Sequence, residues 1–498
     1  MTYRIRPKGE PLKIKVIDRQ KKILAPIEVN KLVPLEHPVR AIWDFVGKLN
    51  LDSYYQEIKS IVGLPGRPVF SPQLIISLWV LAFSEGVSSA REISRRCGYN
   101  PPYQWLTGAA IVNYHTLADF RVGNKMALDE LFIQTLGTLN ALGLITLDHV
   151  MHDGTKIKAN AGGDSFHTEK HLQEHLKLAR QFLDTTNVLK NEPVSPRIAK
   201  AKKRALLEKE KNHEKALIEL EEIRSFQKTE VDKKKARAST TDPESRIMKE
   251  SNGGFAPNYN VQVSTDSVNG IIVAVEATQS RADTEQLLPS ILRIQNNMKQ
   301  KPKQMVVDSG YSSRENVLEI KKQEVDLIGP LFDINERSTN ANKINGVNIE
   351  EFDNQAFHYN KKKDIYICPA GKSLEYSRQD KQSIGSIAFR YRAQEKDCTN
   401  CPFKSLCCPK FTARSISRIE EDSSIIEFRQ KMETDKAKDI YKQRSAVAEF
   451  SNLWIKTKNG LRQFNVRGLH KVNCELILAS LTYNIQIWIR KFWKPVLI

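Results

Sequence analysis

The order of strand-like and helix-like segments in the middle of the chain restricts its fold more than any other feature. A segment rich in β-branched and alternating apolar residues, 143–160, precedes a long charged helical stretch, and strand character returns at 259–279. Turn residues in the middle of 259–279 predict a β-hairpin. A helix, a third strand-like segment, a second helix and a short last strand follow. This alternation predicts an α/β fold with a mixed sheet.

The same order fits a ribonuclease H-like fold, in which the first strand is in the middle of the sheet and the fourth lies beside it. Asp153 is then on strand one, in "VMHDGTKIKAN", and Asp308 is near the end of strand four, in "QMVVDSGYSSREN". Two carboxylates at neighbouring strand ends repel each other unless a cation lies between them. Mg²⁺ is the expected cation, because it binds through carboxylates, water and phosphate oxygens. Taken alone, each aspartate is more simply explained as a turn residue; the pair favours a metal site.

The charge of the chain indicates what it binds. A net charge of +19 and a pI near 9.4 predict a polyanionic partner such as DNA, RNA or an acidic membrane surface. A merely basic protein is the alternative. The apolar segment 474–493 contains charged and amide side chains, so we expect a buried amphipathic helix and no membrane span. No signal peptide is apparent, and seven cysteines in a long chain do not resemble a secreted disulfide framework. We therefore expect a cytoplasmic protein.

Residues 36–142 are predicted to form a helical domain. Ser71, in front of a proline, is typical of a helix start, and Ser89 and Thr116 are each followed three residues later by an acid, which favours further starts. Short capped helices around a Gly/Pro turn suit a helix-turn-helix-like DNA-binding module. A helical bundle with solvated arginines is the alternative. The arginines predicted to contact DNA are Arg91, Arg95, Arg96 and Arg121.

A third acidic candidate, Glu449, lies in a predicted helical segment at 439–464. If the helix is regular, Glu449 shares one broad half of its surface with Tyr441, Arg444 and Lys456. A face that combines cations, a tyrosine and an acid can hold both a metal ion and the phosphates around it. Ordinary surface charges are the alternative, but they do not explain why a tyrosine and an arginine accompany the acid.

Together, these segments resemble a bacterial insertion-sequence transposase of the DDE type with the Tyr-Arg-Glu-Lys (YREK) signature. The matching pieces are "HDGTKIKANA", "VVDSGYSS", and "YKQRSAVAE" followed by six residues and Lys456. Four residues separate Arg444 from Glu449, where the shorter form of the signature has three. The segments "SPQLIISLWVLAFSEGVSSAREISRR" and "HTLADFR" resemble the helical N-terminal domain of such transposases.

The resemblance implies a DNA transposase that cleaves and joins DNA strands at the terminal inverted repeats of its insertion sequence. The residues that would bind two Mg²⁺ ions, or Mn²⁺, are Asp153, Asp308 and Glu449. The residues that would hold DNA phosphates near the cut are Tyr441, Arg444 and Lys456. Such enzymes generally act as homodimers on paired ends, and a nucleoid-associated location follows from their substrate. Two alternatives stay open: a transposase-derived DNA-binding protein without catalysis, and a ribonuclease H-like nuclease that cuts without joining.

Five of the seven cysteines lie in the polar segment 335–425. A Cys-x2-Cys pair with further cysteines nearby is typical of a structural zinc site, and similar clusters occur in this branch of transposases. The predicted zinc ligands are Cys368, Cys398, Cys401 and Cys407, with Cys408 as an alternative to Cys407. Reduced thiols without a metal are the other interpretation. Cys97 and Cys474 lie in helical patterns and are expected in the core.

The sequence divides into five predicted parts. They are an N-terminal arm at 1–35, the helical DNA-binding domain at 36–142, the first part of the catalytic domain at 143–334, a cysteine-containing insertion at 335–425 and the C-terminal helical part of the catalytic domain at 426–498. A charged helical hairpin at 165–238 is predicted as an insertion in the catalytic domain. A solvated arm is the favoured interpretation of this hairpin, and contact with DNA is the other.

Overall fold

The computed structural model describes residues 28–494, except 59, 61–67, 189–195, 228, 251, 332–342, 345–346, 349–355 and 384–385. Most of the predicted N-terminal arm therefore lies outside the described residues. The first part of the described chain is helical, as predicted. Its helices are α1 Pro38–Gly47, α2 Asp52–Tyr55, α3 Pro72–Ser84, α4 Ala90–Arg96, α5 Pro101–Thr107, α6 Tyr114–Gly123 and α7 Lys125–Ala141.

Local hydrogen bonds fix where these helices begin. The hydroxyls of Ser71 and Ser89 each accept a hydrogen bond from the backbone N–H three residues later, at the starts of α3 and α4, so both predicted starts are confirmed. The start predicted at Thr116 is wrong. The Asn113 side chain caps α6 instead, and the helix already begins at Tyr114.

Strands and helices alternate in the next part of the chain. In chain order they are β1 His149–Lys158, β2 Phe166–His167, α8 Glu169–Val188, α9 Pro196–Ser225, α10 Glu230–Lys235, β3 Ala238–Ser239, β4 Arg246–Lys249, β5 Phe255–Asp266, β6 Ile272–Thr278, α11 Leu287–Met298, β7 Gln304–Val306, α12 Arg314–Lys322 and β8 Asp326–Ile328.

A six-stranded mixed sheet forms from these strands. Its order is β4-β5-β1-β7-β8, and β6 also pairs with β5. β1 is antiparallel to β5 and parallel to β7, and β7 is parallel to β8. β5 and β6 form the predicted hairpin. The mixed sheet is therefore confirmed, with the first strand in its middle and the strand before Asp308 beside it.

The predicted helical hairpin inserted after β1 is also present. β2 and β3 pair with each other at its base, and α8 packs against α9. A small apolar cluster holds the hairpin together, and its members are Leu172, Ala216, Leu220, Ile223, Ala236 and Ala238. Arg246 of β4 forms an ion pair with Glu219 of α9 at 2.6 Å, with both side chains largely buried. This contact fastens the insertion to the edge of the central sheet.

The cysteine-containing segment forms a sheet of its own, which its polar composition did not predict. After the short pair β9 Lys343–Ile344 and β10 Val347–Asn348, five antiparallel strands follow: β11 His358–Asn360, β12 Ile365–Ile367, β13 Ser373–Ser383, β14 Ser386–Ala393 and β15 Ser415–Glu421. The short helices α13 Glu395–Thr399 and α14 Lys404–Cys407 lie between β14 and β15.

The last part of the described chain is helical. It contains α15 Ser423–Glu433, α16 Asp435–Lys442, a π-helical turn Ser445–Glu449, α17 Phe450–Thr457 and α18 Leu469–Phe492. α18 packs on α1, α3, α6 and α7 and on β6, so one continuous apolar core joins the N-terminal helices to the sheet.

Two asparagines of α18 also cover the edge of the central sheet. Asn484 accepts a hydrogen bond from the backbone N–H of Ile272 and donates one to its carbonyl, both at 2.9 Å. Asn473 makes the same two bonds with Ala277. These side chains satisfy backbone groups of β6 that would otherwise be unpaired. Among the described residues, no helix has the length and apolar character needed to cross a membrane.

Candidate active site

Asp153 and Asp308 lie side by side because of the register between two parallel strands. β1 pairs with β7 so that Met151 is opposite Val306, and each aspartate follows its member of this pair by two residues. The two carboxylates therefore project to the same side of the sheet. The Asp153 side chain is 16% exposed and the Asp308 side chain 41%. The site is thus open on the Asp308 side.

Arg444 connects the two aspartates. Its Nη2 atom is 3.2 Å from Asp153 Oδ1 and 3.2 Å from Asp308 Oδ2, and Arg444 is itself largely buried. Burial raises the pKa of the Asp153 carboxyl, the Arg444 guanidinium lowers it, and the Asp308 carboxylate raises it again. The pair therefore repels as expected, and the guanidinium between them supplies a positive charge.

Glu449 is the last residue of the π-helical turn Ser445–Glu449, which follows Arg444 directly. The prediction of one regular helix through 439–464 is wrong, because the chain forms α16, the π-turn and then α17. In a regular helix, residues five apart are about 140° apart around the axis, whereas a π-turn returns to the same face after five residues. A π-turn can thus accommodate one inserted residue within a helix. The Glu449 side chain is exposed, one helical turn before Asn452.

The structure brings two of the three predicted carboxylates together. Across the part of the chain that the structure describes, no three His, Cys, Asp or Glu side chains converge closely enough to hold one metal ion. The donor chemistry nevertheless fits a divalent cation, because the adjacent Asp153 and Asp308 carboxylates are the hard oxygen ligands of Mg²⁺ and Mn²⁺. Both carboxylates already bind one positively charged group, the Arg444 guanidinium.

Asn452 is a site residue that the sequence did not reveal. Its Nδ2 atom donates a hydrogen bond to Asp153 Oδ2 at 3.0 Å. An asparagine has no charge to pair, and no motif marked it. Its position three residues after Glu449 places it on the same helix face as that acid, and this spacing was the one available signal.

A layer of polar side chains supports the other face of β1, and it explains the glycine in "HDGT". A Cβ atom on Gly154 would lie 2.6 Å from the Tyr311 hydroxyl, 2.8 Å from Asp283 Oδ1 and 2.9 Å from Gln262 Nε2. The Tyr311 hydroxyl donates to Gln262 Oε1 at 2.6 Å, and Gln262 Nε2 donates to Asp283 Oδ1 at 3.1 Å. Burial lowers the pKa of the adjacent His152 to about 4, so this imidazole is neutral. The layer fixes the backbone that carries the first aspartate.

Two further signature residues lie near the aspartates. Tyr441 is half-buried, and burial raises the pKa of its hydroxyl. The Arg444 guanidinium lowers this pKa, and the carboxylates of Asp308 and Asp153 raise it. All three side chains therefore lie within electrostatic range of the Tyr441 hydroxyl. Burial lowers the pKa of Lys456, and the charges of Glu250 and Asp153 partly offset this. Arg444 thus contacts both carboxylates, and Tyr441 and Lys456 lie within electrostatic range of Asp153.

Arg121 requires a correction. It is 5% exposed, and its Nη1 atom lies 2.7 Å from Oε1 of the fully buried Glu475 in α18. The guanidinium also lies over the ring of Trp79 in α3. A buried guanidinium paired in this way cannot contact a DNA phosphate, so the prediction for Arg121 is wrong. Its role is to connect three helices of the core.

The other three arginines of the N-terminal region differ in accessibility. Arg96 forms ion pairs with two glutamates and is mostly covered. Arg95 pairs with Glu92, but its side chain is 76% exposed. Arg91 is exposed and lies over the ring of Tyr114. Arg91 and Arg95 therefore stay candidates for contact with DNA.

The five cysteines of the insertion gather around one small cavity of about 30 Å³, which Cys368, Cys398, Cys401, Cys407 and Cys408 line together. Backbone N–H groups donate to two of their sulfurs, from residue 372 to Cys368 at 3.3 Å and from residue 414 to Cys398 at 3.5 Å. Burial raises the pKa of the Cys407 thiol to about 11. Cys97 and Cys474 are fully buried in the core, as predicted.

Paired carboxylates on neighbouring strands, in a strongly basic chain, are typical of enzymes that act on nucleic-acid phosphodiesters. Comparison with protein families makes the class more specific. Residues 27–123 match the family described as Transposase domain (DUF772), and residues 367–488 match the family described as Transposase DDE domain. Both matches support an insertion-sequence DDE transposase. The DDE match includes Glu449 and the cysteines, and it does not extend to Asp153 or Asp308. A search of curated proteins found no match.

Proposed function

We propose that this transposase cleaves and joins DNA strands at the terminal inverted repeats of its insertion sequence. One observation carries the proposal: Asp153 on β1 and Asp308, two residues after the parallel neighbour β7, share the Arg444 guanidinium. Both lie next to the π-turn that bears Glu449. The chain would act as a homodimer on paired ends, bound to nucleoid DNA. The order of the central sheet, with β1 in the middle and β7 parallel beside it, supports a ribonuclease H-like fold for this catalytic part.

The residues have separate tasks in this proposal. Asp153, Asp308 and Glu449 would hold two Mg²⁺ ions, which when bound activate the attacking oxygen and stabilise the leaving one. The single positive charge of Arg444 offsets one of the two aspartate charges. With cations held by the carboxylates, its planar guanidinium would be available to bind a phosphate. Water would first release a 3′-OH, and this 3′-OH would attack a second phosphodiester in line, without a covalent bond to the protein.

The test compares DNA with the element's own ends, incubated with Mg²⁺ and wild-type protein or the variants Asp153→Ala, Asp308→Ala and Glu449→Ala. Each variant should lower the rates of cleavage and strand transfer by about 10²-fold or more, because several kcal/mol of transition-state stabilisation are lost. Asp439→Ala is the matched control, because Asp439 is an exposed acid on α16 that pairs with Lys442. It should cleave as the wild type does.

The outcomes separate the alternatives. If the three variants cleave as well as the wild type, the site assignment is wrong. The exposed position of Glu449 favours one competing function, a DNA-binding protein without catalysis. That function would be indicated if the wild type binds its ends but neither cleaves nor joins them. Cleavage without strand transfer would instead indicate a nuclease.

We also propose a structural zinc ion in the cysteine-containing insertion. All five cysteines line one cavity, although no three of them are close enough among the described residues to share one ion. Backbone N–H groups directed at two of the sulfurs support the proposal, since such bonds stabilise thiolate ligands. Purified protein should contain one zinc per chain by elemental analysis, and Cys398→Ser should lose it. Cys407→Ser and Cys408→Ser form a matched pair that identifies the fourth ligand. Wild-type protein without zinc after expression in zinc-supplemented medium would contradict the proposal.

A further inference from the structure

The two oxygens of the Asp153 carboxylate have different partners. Arg444 Nη2 donates to Oδ1 at 3.2 Å, and Asn452 Nδ2 donates to Oδ2 at 3.0 Å. Arg444 precedes the π-turn and Asn452 lies in α17, so the two donors approach from either side of this turn. A carboxylate with one donor on each oxygen cannot rotate freely about its Cβ–Cγ bond.

We propose that Asn452 is a positioning residue that sets the rotation of the Asp153 carboxylate, so that Oδ1 faces Asp308. This inference rests on the proposed function of the carboxylates as cation ligands. Outer partners of this kind hold ligands in the orientation that binding requires. If Oδ1 bound a cation in place of Arg444, the bond from Asn452 to Oδ2 would hold the carboxylate in the same orientation.

The surroundings of Asn452 distinguish this role from a structural one. Asn452 is 6% exposed, and among the described residues its Oδ1 atom finds no hydrogen-bond partner. Asn459, a fully buried asparagine just after α17, also has an unpaired Oδ1, but its Nδ2 donates to the backbone carbonyl of Ala479 at 2.8 Å. Asn459 thus satisfies a buried backbone group, whose loss costs stability. Asn452 instead donates to the carboxylate of a site residue, so its loss should change that carboxylate before it changes the fold.

The experiment is a titration of the full-length protein with Mn²⁺ alone, followed by electron paramagnetic resonance of the free ion. Asn452→Leu keeps the volume of the side chain and removes the donor. It should weaken Mn²⁺ binding about 10- to 100-fold, lower cleavage similarly, and leave the melting temperature and DNA-end affinity close to wild type. Asn459→Leu is the matched control. It should lower the melting temperature and leave Mn²⁺ affinity unchanged.

The inference is overturned if Asn452→Leu binds Mn²⁺ like the wild type, or if Asn459→Leu weakens binding equally. Asp153→Ala separates this failure from that of the proposed function. If Asp153→Ala loses Mn²⁺ affinity and Asn452→Leu does not, only the role of Asn452 is wrong. If Asp153→Ala itself binds normally, the carboxylate site is wrong. Should Asn452→Leu not fold, Asn452→Ser removes the same contact with a smaller side chain.

Discussion

Replacement of Arg121 by methionine should destabilise the protein strongly without acting on DNA directly. Arg121 and Glu475 form an ion pair at 2.7 Å in which the side chains are 6% and 0% exposed. Asn465 also donates to both oxygens of Glu475, each at 2.9 Å. Arg121→Met leaves a buried carboxylate without its counter-charge, which typically costs about 3–5 kcal/mol of unfolding free energy.

The assay is urea denaturation followed by tryptophan fluorescence, which reports on the core because Trp79 lies beneath the Arg121 guanidinium. Burial raises the pKa of Glu475 and Arg121 lowers it, so the variant's Glu475 should titrate at a still higher pH. A folded pKa above the unfolded value means that stability is lost as pH rises. The penalty of Arg121→Met should therefore be smaller at pH 5.5 than at pH 8.

The double variant Arg121→Met/Glu475→Met should be more stable than Arg121→Met, because it buries no unpaired charge. Arg95→Met is the control, because this exposed side chain should affect stability little and DNA affinity more. The reasoning is refuted if Arg121→Met unfolds at the wild-type urea concentration and loses DNA affinity. That result would return Arg121 to the DNA-binding surface.

Three further predictions concern other parts of the chain. Gly154→Ala should cost about 1–3 kcal/mol by calorimetry, because its Cβ collides with the Tyr311 hydroxyl, and Tyr311→Phe should relieve part of this loss. Burial lowers the pKa of His213, so the unfolded state binds more protons than the folded state below about pH 6.5, and proteolysis of α8 and α9 should increase there. The variant His213→Gln should weaken this pH dependence. Equal rates of proteolysis at pH 5.5 and 7.5 in the wild type would contradict the prediction. Deletion of the exposed Ala446 should convert the π-turn to a regular α-helical turn and preserve DNA cleavage. A deletion variant that folds but no longer cleaves DNA would contradict this prediction.

The sequence predicted the central sheet well because its information is local. Alternation, turn residues and capping spacings are read over a few positions, and they indicated the hairpin, the helical insertion and the strands that carry Asp153 and Asp308. Since neighbouring parallel strands place their following residues together, the pairing of these aspartates followed from the order of elements alone.

The errors concern contacts between distant positions and departures from regular geometry. Arg121 and Glu475 are 354 positions apart, and nothing near Arg121 indicates that its charge is buried. The π-turn lies in a stretch of ordinary helix-forming residues, so a regular helix was assumed. The sheet of the cysteine-containing insertion went unpredicted because strands such as β13, "SLEYSRQDKQS", are polar on both sides after Leu374 and Tyr376 and do not continue the apolar alternation of a half-buried strand.

The position of α18 determines when the molecule can fold. The N-terminal helices α1, α3, α6 and α7 complete their apolar surface only against α18, and β6 finds hydrogen-bond partners in its asparagines. A growing chain that ends before residue 469 therefore has every strand of the central sheet but lacks the helix that joins the sheet to the N-terminal helices. The common core can be completed only after residues 469–492 have left the ribosome.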